Sequence, residues 1–171
     1  MLLSFETPRL SIAEITSNIN SVRLSQLLAA IPQILTPEVV ENLPPYFHDI
    51  NTQSDARVWY ERMMRESRLW IVTDSQLDLP IGFIFAFVEC NTAHIGYLLN
   101  QASWGKGLAS ELLRAFIDEA ANTRWHRLIG GVDRSNIAST KLLLKLGFVE
   151  QLAKKESEVV FYEYWLVAPG S

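Results

Sequence analysis

Trp104-Gly105-Lys106-Gly107-Leu108-Ala109-Ser110-Glu111 stands between a strand-like run, Ile95-Gly96-Tyr97-Leu98-Leu99, and an amphipathic segment over 107–121. That segment carries apolar residues at Leu108, Leu112, Leu113, Phe116, Ile117, Ala120 and Ala121, with Glu111, Arg114, Asp118 and Glu119 on the other side. The spacing predicts a helix with one buried stripe. A helix start leaves main-chain N–H groups without partners, and its dipole favours anions there. Gly105 and Gly107 remove side chains where a diphosphate would approach, small Ala109 keeps the second turn open, and Ser110 adds a hydroxyl. The stretch is suited to cradle a pyrophosphate. Two glycines can also do no more than shape a strand-to-helix turn, and on this stretch alone both readings stand.

Working back from the glycines, residues 69–74, 81–89 and 93–99 read as strands. The short polar links at 75–80 and 90–92 make them an antiparallel meander. Ser54 is placed to cap a helix running to about Ser67, with Val58, Trp59, Arg62 and Met63 along it. Thr36-Pro37-Glu38 has the form of an N-cap, an N1 proline and an acidic first turn, opening a short helix to about Asn42. Ile19, Val22, Leu27 and Leu28 predict a helix that stops before Ile31-Pro32. Arg9-Leu10-Ser11-Ile12-Ala13-Glu14 alternates like a strand directly after the breaker Thr7-Pro8.

Working forward, 128–132 is a strand and 137–146 a helix stopped by Gly147. Residues 148–153 and 159–167 form two closing strands joined by a charged turn. The fold class is α+β or α/β: a mixed, mainly antiparallel central sheet of about seven strands flanked by helices. With no repeat and no Gly/Ser linker, residues 1–171 read as one domain.

Composition narrows the function. A net charge of −4 and the lack of a basic run argue against a nucleic-acid binder. The longest apolar run, 81–88, is too short to cross a bilayer, and Met1-Leu2-Leu3 lacks the pattern of a signal peptide, so no membrane partner is expected. Cys90 is the only cysteine, which fits a cytoplasmic, reducing compartment. His48, His94 and His126 show no ligand spacing, so no metal is expected. An acidic chain that binds an anionic cofactor must do so locally, with main-chain amides and a helix end.

One rival cradle is the dinucleotide fingerprint, imitated by Gly105-x-Gly107-x-x-Ser110, a helix, a strand and Asp133 at its end. Ser110 replaces the third glycine, several residues separate strand from glycines, and a meander precedes them. A P-loop would need Gly-Lys-Ser/Thr, which is absent.

Taken together, Ile95-Gly96-Tyr97-Leu98-Leu99 and Trp104-Gly105-Lys106-Gly107-Leu108-Ala109-Ser110-Glu111 resemble the acetyl-CoA motif of the GNAT acetyltransferase superfamily. Asn136-Ile137-Ala138-Ser139 and Lys145-Leu146-Gly147-Phe148 resemble its next motif, and Thr7-Pro8-Arg9-Leu10 its opening. The likeness covers essentially the whole chain and is nearest to the branch that acetylates ribosomal-protein N-termini. It implies an acetyl-CoA-dependent N-acyltransferase acting on a primary amine, a peptide N-terminus or a small molecule, as a monomer or homodimer. It also implies that amides from Gly105 through Lys106, Gly107, Leu108 and Ala109 to Ser110 hold the pyrophosphate. The strand backbone at Tyr97, Leu98 and Leu99 would pair with the pantetheine arm, and Asn136 would contact the cofactor. Trp104 takes the place of the motif's usual Gln or Arg, an aromatic substitution common in that branch.

An α-amine has a reference pKa near 8 and a lysine one near 10.4, so an α-amine needs less help to attack a thioester at neutral pH. Positioning should dominate such a reaction. In the resembling branch a glutamate commonly precedes Ile-Gly-Tyr. Here His94 stands there, and an imidazole can take up a proton; it can equally be a half-exposed strand histidine. Glu89 is the alternative base. Where the family often has a tyrosine acid this chain has Leu143, which leaves Ser139 as donor, as cofactor contact or as an ordinary first-turn serine. Residues 44–48 and Trp59, Tyr60, Met63 and Met64 either wall the amine site or are core. The replacements at His94 and Leu143 also allow a non-catalytic acyl-CoA-binding module.

Overall fold

The computed structural model describes residues 4–152 and 158–167. Met1-Leu2-Leu3, Ala153 and the charged turn at 154–157 fall outside them. The strand-like runs become β1 (Phe5–Glu6), β2 (Leu10–Ile15), β3 (Arg68–Asp74), β4 (Leu79–Glu89), β5 (Thr92–Leu99), β6 (Arg127–Asp133), β7 (Val149–Glu150) and β8 (Val159–Trp165). They form one eight-stranded sheet in the order β1-β2-β3-β4-β5-β6-β8-β7. Among the described residues β5–β6 is the one parallel pair. Cys90 and Asn91, both at positive φ, make the two-residue turn that joins β4 to β5. A doubly wound dinucleotide fold needs a mostly parallel sheet, so that reading is excluded.

Side chains that alternate along the strands feed a cluster on each face. On one, α1 (Ser21–Ile34) and α3 (Gln53–Glu66) pack Leu28, Ile31, Trp59 and Met63 against Leu69, Phe83 and Leu98. On the other, α4 (Leu108–Ala120) lays Leu112, Leu113 and Phe116 on Trp70, Val72 and Leu128, with α5 (Ile137–Lys145) adding Leu143. The α4 stripe is the one read from the sequence except for Ala121, which is exposed at the C-cap, and burying each of those large side chains is worth about 1.5–3 kcal/mol.

Several boundaries differ from expectation. The first helix does not stop before Pro32 but runs through it to Ile34. A proline inside a helix costs about 3 kcal/mol. Burial of Leu27, Leu28, Ile31 and Ile34 outweighs that, and the Leu35 amide still donates to Ile31 O at 2.9 Å. The cap of α3 is Thr52, not Ser54: Thr52 Oγ1 accepts from the Asp55 amide while the Asp55 carboxylate accepts from the Thr52 amide. Such a reciprocal box satisfies two orphan donors at once, which Ser54 cannot match. The short helix at Thr36 is α2 (Pro37–Val40), but the Thr36 hydroxyl makes no cap bond. The strand expected over 148–153 shortens to Val149–Glu150, followed by one bond from the Gln151 amide to Phe161 O. With the two-residue β1 the sheet counts eight strands among the described residues, where the sequence predicts about seven.

One irregularity positions everything that follows. The β5–β6 ladder runs from Thr92↔Arg127 to Ile95↔Gly130 and ends there, although β5 continues to Leu99 and β6 to Asp133. Each strand keeps its outer partner along that length: β5 pairs with β4 as far as Leu99, and β6 with β8 as far as Asp133. The two inner strands therefore splay apart while the sheet stays intact on both sides.

Candidate active site

The loop after β5 is built by short-range bonds. The Asn100 amide donates to Ile81 O at 2.6 Å, Ser103 Oγ bonds the Asn100 side chain inside a 3₁₀ turn (Gln101–Ser103), and the Trp104 indole N–H donates to Leu99 O at 2.9 Å. Gly105 and Gly107 follow at φ 73° and 76°, the left-handed region in which a side chain is strained. Gly107 is the N-cap of α4 and offers no side-chain cap, so the amides of the first turn are left for something else. A Cβ at Gly105 would meet no atom within 4 Å, and one at Gly107 would find only Arg9 Nη2, at 3.7 Å. The space is open where a diphosphate would lie.

The other end of the chain braces this loop. Arg9 donates from Nε to Glu111 Oε1 at 2.8 Å and from Nη1 to Lys106 O at 2.9 Å, while Thr7 Oγ1 donates to Glu111 Oε2 at 2.5 Å. Partial burial alone would raise the Glu111 carboxyl. The bonds from Thr7 and from the Arg9 side chain and amide, with the Arg9 charge, outweigh it and hold the group below the usual carboxylate value.

A cavity of about 610 Å³ leads from this loop into the splay. Tyr97, Leu98, Leu99, Trp104, Gly105, Gly107, Leu108, Ala109, Ser110, Asn136 and Ser139 all line it; Lys106 does not, and it contributes its carbonyl to Arg9 instead. Because Asn100 bonds β4, alternation along β5 turns the main-chain groups of Tyr97 and Leu99 away from β4 and toward the splay. Trp104 occupies the Leu99 carbonyl, which leaves both groups of Tyr97 and the Leu99 amide facing the gap.

Across the gap, Asn136 caps α5, its Oδ1 accepting from the Ser139 amide at 3.3 Å. The Ser139 hydroxyl shares a hydrogen bond with the Tyr97 phenol at 3.0 Å. Burial pushes the Tyr97 phenol above its ordinary value, and the Ser139 bond pulls the other way without cancelling it. Leu143, at the usual tyrosine position, lines the same cavity with its side chain buried.

A second cavity, of about 460 Å³, opens on the α3 face of the sheet. Its walls include His94, Phe87, Tyr46, Phe161 and Glu66. Ile95 and Gly131 line both cavities, so the two come close where the β5–β6 ladder ends. Glu89 is exposed at the end of β4 beside the hairpin turn, away from both sets of lining residues.

Residues 16–149 match the family described as Acetyltransferase (GNAT) domain. The chain belongs to the GNAT acetyltransferase family. Among relatives, Probable N-acetyltransferase YjcK of Bacillus subtilis (strain 168) is 39% identical over 70 residues, 40% of this chain and 39% of YjcK. The chain thus matches about two fifths of the length of that curated relative. RimL, the ribosomal L7/L12 alpha-N-protein acetyltransferase solved in complex with coenzyme A, shares the fold at a TM-score of 0.76 and 15% identity, over 93% of this chain and 95% of RimL. The spermidine N-acetyltransferase from Vibrio cholerae, solved with CoA and spermine, gives 0.71 and 15%, over 94% and 97%.

Within this GNAT fold, sequence reasoning found the glycine loop but missed three contributors. Glu38, Val39, Glu41, Asn42 and Leu43 close one side of the larger cavity, Gly130 and Gly131 form its splayed floor, and Arg9 with Glu111 its brace. Only Arg9, in Thr7-Pro8-Arg9-Leu10, and Glu111, at the end of the Trp104–Glu111 stretch, carried a signal, and neither announced their pairing. Of the suspected acceptor wall, Phe47, Trp59 and Tyr60 are core, while Tyr46 and Met63 reach the second cavity. His48 bonds Leu43 O through Nε2 at 2.9 Å and His126 is exposed, as loop residues.

Proposed function

We propose that the chain is a single, cytoplasmic acyl-CoA N-acyltransferase domain that moves an acetyl group from acetyl-CoA to a primary amine. The observation that carries this reading is that two cavities share Ile95 and Gly131 as lining residues where the β5–β6 ladder ends. Bound acetyl-CoA supplies an activated acyl group, its C–S bond breaking as the acyl carbon joins the amine nitrogen. The free amides of Gly105 to Ser110 receive the diphosphate, with the α4 dipole behind them. The main-chain groups of Tyr97 and Leu99 hold the amide-bearing arm in extended pairing, and Asn136 holds α5 against it.

His94, beside Ile95 on the acceptor side, takes the proton that the amine must lose. On the opposite side the Ser139 hydroxyl, backed by the half-buried Tyr97 phenol, returns a proton to the departing sulfur. Neither step asks much of a side chain, so alignment across the splay supplies most of the rate. The acceptor is a peptide α-amine, as for RimL, or a small amine. Thiol release from acetyl-CoA across a panel of peptides and amines tests the reading. Acceptor-dependent release is expected; acetyl-CoA binding with no release for any acceptor would favour a non-catalytic acyl-CoA-binding module, in line with Leu143 at the tyrosine position.

A further inference from the structure

The second cavity has a composition that selects among amines. Its walls carry the rings of Tyr46, Phe85, Phe87 and Phe161, two of which are unusually open for aromatic side chains: Phe87 is 50% and Phe161 42% exposed. The Phe161 ring lies over Gly131, where an added Cβ would come within 3.0 Å of it. Rings held at the mouth of a cavity, with one face bare, are surfaces for another ring.

Its charge is equally specific. Among the described residues lining the cavity, Glu66 is the single carboxylate, and Arg62 Nε already bonds it at 3.1 Å. The Arg62 guanidinium in turn stacks 3.8 Å over the Tyr46 ring. The local balance is near neutral. A polyamine would bring several ammonium groups to one shared carboxylate and leave the rest without a partner. One ammonium, by contrast, can share Glu66 and rest on an aromatic face, with its nitrogen turned toward His94.

We infer that this cavity takes a primary amine bearing one positive charge and an aromatic ring, free or as the N-terminus of a peptide, in preference to a polyamine. The inference rests on the acceptor reading of the cavity. Removing a ring from such a wall should cost about tenfold in discrimination.

The test uses the CoA-bound protein and two readouts. The His94 ring signals, followed by NMR, are titrated with 2-phenylethylamine, with a peptide amide beginning Phe-Ala, with the same peptide beginning Ala-Ala, and with spermidine. Thiol release from acetyl-CoA is measured for the same four. The two aromatic amines should shift the His94 signals at concentrations at least about tenfold lower than spermidine or the Ala-Ala peptide. Preference between 2-phenylethylamine and the Phe-Ala peptide tells the free amine from the peptide source. Phe87→Ala and Phe161→Ala should each erase most of that preference while leaving affinity for CoA unchanged. Tighter binding of spermidine, equal binding of all four, or an unaltered preference in both variants would overturn the inference. Selective binding without thiol release would sustain it and sink the transfer reading instead.

Discussion

At the level of single residues, Gly107 is the position on which the proposed cofactor site turns. Its φ of 76° costs any L side chain about 1–2 kcal/mol, and a carboxylate there would face the diphosphate. Gly107→Glu should weaken acetyl-CoA binding by about 100-fold or more in calorimetry, with the far-ultraviolet dichroism unchanged. His94→Ala should lower kcat by about 10²-fold while acetyl-CoA binds as before, and the deficit should widen at lower pH, where more of the acceptor is protonated. A variant that tracks the wild type between about pH 6 and 9 would make His94 structural. Glu111 carries a pH signature. Its folded value lies below the usual one, so its contribution is present above the ordinary carboxylate pKa and is lost as pH falls through the folded value. Glu111→Gln should therefore show a smaller drop in urea midpoint than the wild type between about pH 5 and pH 3. The glycines were legible because positive φ leaves a mark in composition. The Arg9–Glu111 pair was not, because nothing in a linear chain announces a contact across 102 residues.

At the level of elements, what repeats was readable and what is reciprocal was harder. The α4 stripe and the β3–β4–β5 meander follow from periodicity and link length, and they came out within two residues of their ends. The start of α3 did not, since Ser54 and Thr52 are both good caps and only Asp55, three residues after Thr52, completes the box. Thr52→Ala should cost about 1 kcal/mol in chemical denaturation, against near zero for Ser54→Ala. The course of α1 through Pro32 shows burial overriding a local breaker, a balance that depends on what packs above it. Gly82 is the strictest position in the sheet, for a Cβ there would lie 2.1 Å from the Leu98 carbonyl oxygen. Gly82→Ala should destabilise by about 1–3 kcal/mol, because backbone rather than a flexible side chain must yield and the β4–β5 ladder with it.

At the level of the molecule, the proposed transfer rests on a sheet that stays continuous while two of its inner strands part. No run of residues encodes that directly. It emerges from β8 pairing with β6 and β4 with β5 beyond the point where β5 and β6 separate, a consequence of long-range order that periodicity cannot express. The same separation brings Tyr97 to Ser139 and lets the two cavities share Ile95 and Gly131. A crystal structure with coenzyme A bound would test this most directly. The account predicts diphosphate density on the amides of Gly105 to Ser110, the arm lying between β5 and β6, and the thiol ending beside Ile95 and Gly131. Coenzyme A bound elsewhere, or a thiol that stops short of the second cavity, would contradict it.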